Sequence, residues 1–148
     1  MSALNEKTVL LRLLGRLDEA LTIGTEAVRQ ARFTGDREQL IGARIRRAQV
    51  LQYLGKFDDA IVELSDCVME ARGREWTALE AFAVQSRGKV YFDMKDYDNA
   101  LSDMTAAVFL REKLGASPAE IESALTAVAV VQSLSEAHRD EAGAEPAE

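Results

Sequence analysis

The phrase LGRLDEAL, Leu14 to Leu21, returns as LGKFDDAI at Leu54 to Ile61 and as MKDYDNAL at Met94 to Leu101, always forty residues on. A repeat held in register this way means that each copy is one supersecondary unit stacked on the next. The register extends beyond the phrase. Twelve residues before Ala20, Ala60 and Ala100 stand Thr8, Ala48 and Gly88, and seven residues after them stand Ala27, Cys67 and Ala107. Small residues at fixed spacing on two successive segments imply two helices in close approach. Gly15-Arg16, Gly55-Lys56 and Lys95-Asp96 form the turn between them. Asp18, Asp58 and Asp98 then fall in the first turn of the second helix, where free N–H groups and the helix dipole favour a negative charge.

The spacing predicts helix pairs over 3–14 with 17–33, 37–54 with 57–72, and 75–94 with 97–114. Gly35, Gly73 and Gly115 stand where the second helices end and suit a left-handed cap. A seventh helix starts at SPAE, with Ser117 as N-cap, Pro118 at the first helical position and Glu120 closing a capping box. Ile121, Ala124, Leu125, Val128, Val131 and Leu134 form its apolar stripe. No further copy of the phrase follows, as expected of a helix that covers the last repeat. One domain is therefore expected over 1–137, with repeats at about 1–35, 36–74 and 75–115 and a capping helix at 117–137. The segment 138–148, HRDEAGAEPAE, has no apolar face and is expected to be a disordered acidic tail.

The order of small residue, turn glycine, bulky-Asp-x-Ala-bulky and second small residue resembles the tetratricopeptide repeat, over about residues 1–114. The forty-residue unit is longer than the usual one of about 34. It resembles the subclass found in kinesin light chains and bacterial peptide-sensing regulators. The resemblance implies an all-α fold: three antiparallel helix-turn-helix repeats and a C-terminal capping helix in a right-handed superhelical α–α solenoid. First helices would line the concave face. The chain departs from the family at Lys7, Arg47 and Arg87, where an apolar residue is usual. Each of these cations must pair with a carboxylate, snorkel or meet an anionic ligand.

Catalytic chemistry is poorly represented. His138 is the only histidine and Cys67 the only cysteine, so no disulfide, zinc spacing or Cys-His pair can be written, and Cys67 sits at a packing position. DYDNAL at 96–101 imitates a calcium loop, but Leu101 stands where glycine is required. No enzyme, cofactor or metal is expected. Charged residues interrupt the apolar start of the chain, and the uncharged run 123–135 is too short to span a bilayer, so a cytoplasmic protein without a membrane segment is expected.

Charge is unevenly placed. The first helices (2–14, 37–54 and 75–94) carry a net +3, the second helices (16–33, 56–72 and 95–113) a net −4, and residues 114–148 a net −6. An overall charge of −7 argues against nucleic acid. The resemblance places Arg12, Ile45, Arg46, Gln49, Gln52, Tyr53, Phe82, Gln85, Lys89 and Phe92 in a mildly basic groove. Such a groove suits an acidic peptide or helix, with amides to satisfy an extended backbone and aromatic faces for contact area. The positions of the chaperone-tail carboxylate clamp hold Asn5, Val9, Arg46, Phe82 and Ser86 instead, so that mode is not expected. The leading expectation is a non-catalytic interaction scaffold with a protein or peptide partner. Two alternatives stay open: a self-associating subunit (a homodimer through the apolar first helix) and a small secretion-type chaperone.

Overall fold

The computed structural model describes residues 2–144. They form seven helices, α1 (Ala3–Leu13), α2 (Leu17–Thr34), α3 (Arg37–Tyr53), α4 (Phe57–Gly73), α5 (Thr77–Asp93), α6 (Tyr97–Lys113) and α7 (Pro118–Ala144), with no strand among the described residues. Consecutive helices pack against each other, and α1 also packs on α3 and α3 on α5. Among the described residues, no helix is long and apolar enough to cross a membrane.

The small residues sit at the crossings. Ala20, Ala60, Ala100, Ala48 and Cys67 are fully buried, with Thr8, Gly88, Ala27 and Ala107 buried beside them. Gly88 marks a close crossing: a Cβ there would come within 3.1 Å of the Asp103 Cβ, so a larger residue would require α5 or α6 to give by a few tenths of an ångström. Around these contacts Ile41, Ile45, Leu64, Val68, Val84 and Val90 fill a central core shared by α3, α4, α5 and α6. A smaller cluster joins α2 to α3 through Val28 and Leu40, and another holds Leu11 against Ala20 and Val50.

The helix ends follow from local chemistry. Ser2, Asp36 and Asp96 accept backbone N–H bonds as N-caps, and Ser117 and Glu120 close a reciprocal capping box. The turns keep a beat of twenty residues: Gly15, Gly35, Gly55, Glu75, Lys95 and Gly115 all have a positive φ, between 57° and 82°. Gly73 is therefore not the cap expected for α4. It lies inside the helix, and Glu75 takes the left-handed position, which also delays the start of α5 to Thr77.

The C-terminal expectation needs a second correction. α7 runs on to Ala144, past the end expected at 137. Asp98 holds this extension, accepting from Ser135 Oγ and Arg139 Nη2 at 2.6 Å each, while His138 packs edge-on to Tyr97 at 5.7 Å. Residues 138–144 of the expected tail are thus helical, and residues 145–148 lie outside the described residues.

Glu75 and Lys95 carry a Cβ in a conformation that favours glycine. Glu75→Gly and Lys95→Gly should each raise stability by about 0.5–1 kcal/mol, read from urea midpoints. Lys56→Gly, at a turn position with a negative φ of −86°, should not.

Candidate functional site

Two of the three cations at equivalent positions of the first helices, Arg47 and Arg87, form a repeated ion pair. Arg87 Nε and Nη2 donate to the two carboxylate oxygens of Asp103 at 2.8 and 2.7 Å, and its Nη1 reaches Ser65 Oγ at 3.3 Å. One guanidinium thereby ties α5 to both α4 and α6. Forty residues earlier, Arg47 Nη2 donates to Glu63 at 2.7 Å, and Arg44 Nε donates to the same oxygen at 2.9 Å. In the first unit Ile23 stands where Glu63 and Asp103 stand in the others, and among the described residues Lys7 makes no ion pair. Arg47 and Arg87 are therefore parts of the helix-pair scaffold. Burial pushes the Glu63 carboxyl up, but the hydrogen bonds and charges of Arg44 and Arg47 outweigh it and hold the group below its ordinary value.

Of the ten residues expected to line the groove, Lys89 and Phe92 line open space, and the other eight divide into three groups. Ile45 does not line it at all: it is fully buried in the central core, because its position on α3 faces α4 and α5. Arg12, Tyr53, Arg46 and Phe82 form two cation–π pairs across the layer of first helices, with Arg12 5.0 Å from the Tyr53 ring centroid and Arg46 5.6 Å from that of Phe82. Burial holds the Arg46 pKa below the usual guanidinium value. The three amides are all engaged. Gln49 Nε2 donates to Ser86 Oγ at 3.2 Å, Gln52 Nε2 donates to Asp93 at 2.8 Å, and the Gln85 carbonyl accepts from Arg111.

The open volume lies beside α7. One cavity of about 510 Å³ is lined by Gln85 and Lys89 of α5, Met104 and Arg111 of α6, and Ala119, Glu120, Ser123 and Ala127 of α7. A second, of about 580 Å³, adds Gln52 and Tyr53 of α3, Phe92 and Asp93 of α5, and Val130 of α7. Both include Lys89, Met104 and Ala127, so together they make one groove between the layer of first helices and α7. The half contributed by α6 and α7 was not anticipated. Its signal in the sequence is the four-residue spacing of small residues at 119, 123 and 127. A third cavity, of about 470 Å³, lies at the α1 end, where Asn5 and Arg46 face Gly42 and Leu79.

Arg12, Arg46, Lys89 and Arg111 have no carboxylate partner among the described residues, and neither do Lys7, Arg32, Lys56, Arg74, Lys95 and Lys113, whereas Arg37, Arg44, Arg47, Arg72 and Arg87 all bridge to a neighbouring helix. Cys67 is fully buried, and burial pushes its thiol up to about 12, so it stays protonated at neutral pH. No protein-family model matches the chain, and a comparison with curated proteins finds no match.

Two outcomes follow from the ion pairs. Arg87→Met strands the buried Asp103 carboxylate and should cost about 2–4 kcal/mol, while Arg87→Met with Asp103→Leu should recover most of that, measured by urea unfolding. Because the Glu63 pKa is lowered by folding, its contribution is present above the unfolded value and lost as pH falls through the folded one. The stability gap between wild type and Glu63→Gln should therefore narrow as pH drops from about 5 toward 3.

Proposed function

We propose that the chain is a non-catalytic protein–protein interaction module, a cytoplasmic scaffold that receives an acidic peptide or helix in the groove flanked by the first helices. In this reading the three helix pairs form a tetratricopeptide-like right-handed solenoid of the longer, bacterial-type repeat, and α7 is its capping helix. One observation carries it: the cations around the groove lack carboxylate partners among the described residues, while the arginines between helices are paired. A partner that supplies carboxylates would complete the pattern, and the apolar lining would add contact area.

A second reading, self-association, is favoured by Leu10, Leu13 and Leu14, which are exposed on α1. One experiment separates the two. Affinity capture from extract with wild type, with Arg46→Glu/Lys89→Glu, and with Arg32→Glu as a control away from the groove should lose a protein partner only in the groove variant. Recovery of the same proteins by all three, or of nothing beyond the bait, would move the assignment to self-association.

A further inference from the structure

Asn5 is only 7% exposed, yet its side-chain amide makes no hydrogen bond with a described residue, and its Oδ1 is buried without a partner. Buried amides are nearly always matched, because an unmatched one gives up water and receives nothing in return. This side chain lines the cavity of about 470 Å³ at the α1 end, between α1, α3 and α5. Arg46 lines the same cavity. It is partly buried, rests on the Phe82 ring, and makes neither an ion pair nor a hydrogen bond with a described residue. Arg44, Arg47 and Arg87, likewise partly buried, each bind a carboxylate.

Gly42 decides where the Arg46 charge lies. A Cβ on Gly42 would fall 2.9 Å from Arg46 Nη1, so the guanidinium folds back one helical turn over the glycine. Glu38 stands one further turn toward the start of α3, on the rim of the same cavity, and it too has no charged partner among the described residues. One such turn is about 6 Å of helix rise. A cation and an anion thus share a cavity without pairing, beside an unmatched amide. An anion alone would sit against Glu38, and a cation alone would leave Arg46 unmatched. A ligand carrying both charges answers both. The two charged groups of an α-amino acid share one carbon, and with a hydrogen bond of about 2.9 Å at each end they bridge a gap of this order. An amide offers both a donor and an acceptor, so Asn5 can serve either group. Leu79 adds an apolar wall for the side chain.

We propose that this cavity binds a free α-amino acid with an apolar side chain, its carboxylate on Arg46, its ammonium on Glu38, and the Asn5 amide on one of the two. The site lies apart from the groove beside α7 and does not rest on the groove-binding reading.

The test is thermal unfolding of the full chain with each common L-amino acid at about 10 mM, since a ligand of the folded state raises the melting temperature. Calorimetric titration then compares the strongest with its N-acetyl and carboxamide derivatives. An apolar amino acid should raise the melting temperature, and each derivative should bind about tenfold more weakly or worse. Glu38→Gln removes the ammonium acceptor, and Gly42→Ala pushes the guanidinium aside without touching the core. Each should weaken binding by a similar factor while the ligand-free chain stays folded. Absence of a shift with every amino acid would overturn the proposal. Equal binding of the N-acetyl derivative would reduce the site to a carboxylate pocket, and equal binding of the carboxamide to a cation pocket, and either result overturns the assignment. Stabilisation that survives both variants would place the amino acid elsewhere and overturn the site.

Discussion

Close approach of the two helices in each pair is the constraint from which the rest follows. Ala20, Ala60 and Ala100 are completely buried at equivalent crossings, and at Gly88 even a methyl group would press on Asp103. At that separation a long side chain on the first helix has no room to lie between the axes. Arg47 and Arg87 instead run to carboxylates on the second helix, sixteen residues later in the chain in both cases. A half-buried cation is tolerated because its hydrogen-bonding fork is matched, and the pair adds directional specificity to packing that is otherwise largely nonpolar.

The same arrangement separates two populations of cation. Those turned toward the second helices are consumed by structure. On the other side of the first helices Arg12 and Arg46 rest on aromatic rings, and Arg111 of α6 reaches the Gln85 amide; none of the three has a carboxylate partner among the described residues. α7 then converts a surface into a groove. Its Ile121, Val128 and Val131 side faces the body, while its small residues leave space in front of Met104 and Phe92. Asp98 serves twice, as the acid at the start of α6 and as the acceptor for Ser135 and Arg139, so the second half of α7 is fixed to the α5–α6 turn.

Much of this was legible from residues alone. Seven helices, their turns and the Ser117–Glu120 capping box follow from period, glycine placement and cap chemistry, all local effects. Gly73 misled because glycine is only permissive: the twenty-residue spacing of the turns decided the cap, and it fell on Glu75. Ile45 was misplaced because a face inferred from family geometry ignores the rotation of α3 in its own core. The α7 extension escaped notice because HRDEAGA has no apolar stripe, and what holds it is a polar contact to a residue 41 positions away. The partners of Arg47 and Arg87 were visible in principle, since Glu63 and Asp103 obey the same forty-residue register as the phrase.

Photo-crosslinking in the native host tests the central claim most directly. A photoreactive phenylalanine would replace Tyr53, which is 56% exposed at the groove, and in a separate protein Met69, which is 72% exposed on α4. An adduct to another protein from position 53, with none from position 69, is the expected result. An adduct from position 69 alone would contradict it and place the contact on the second helices.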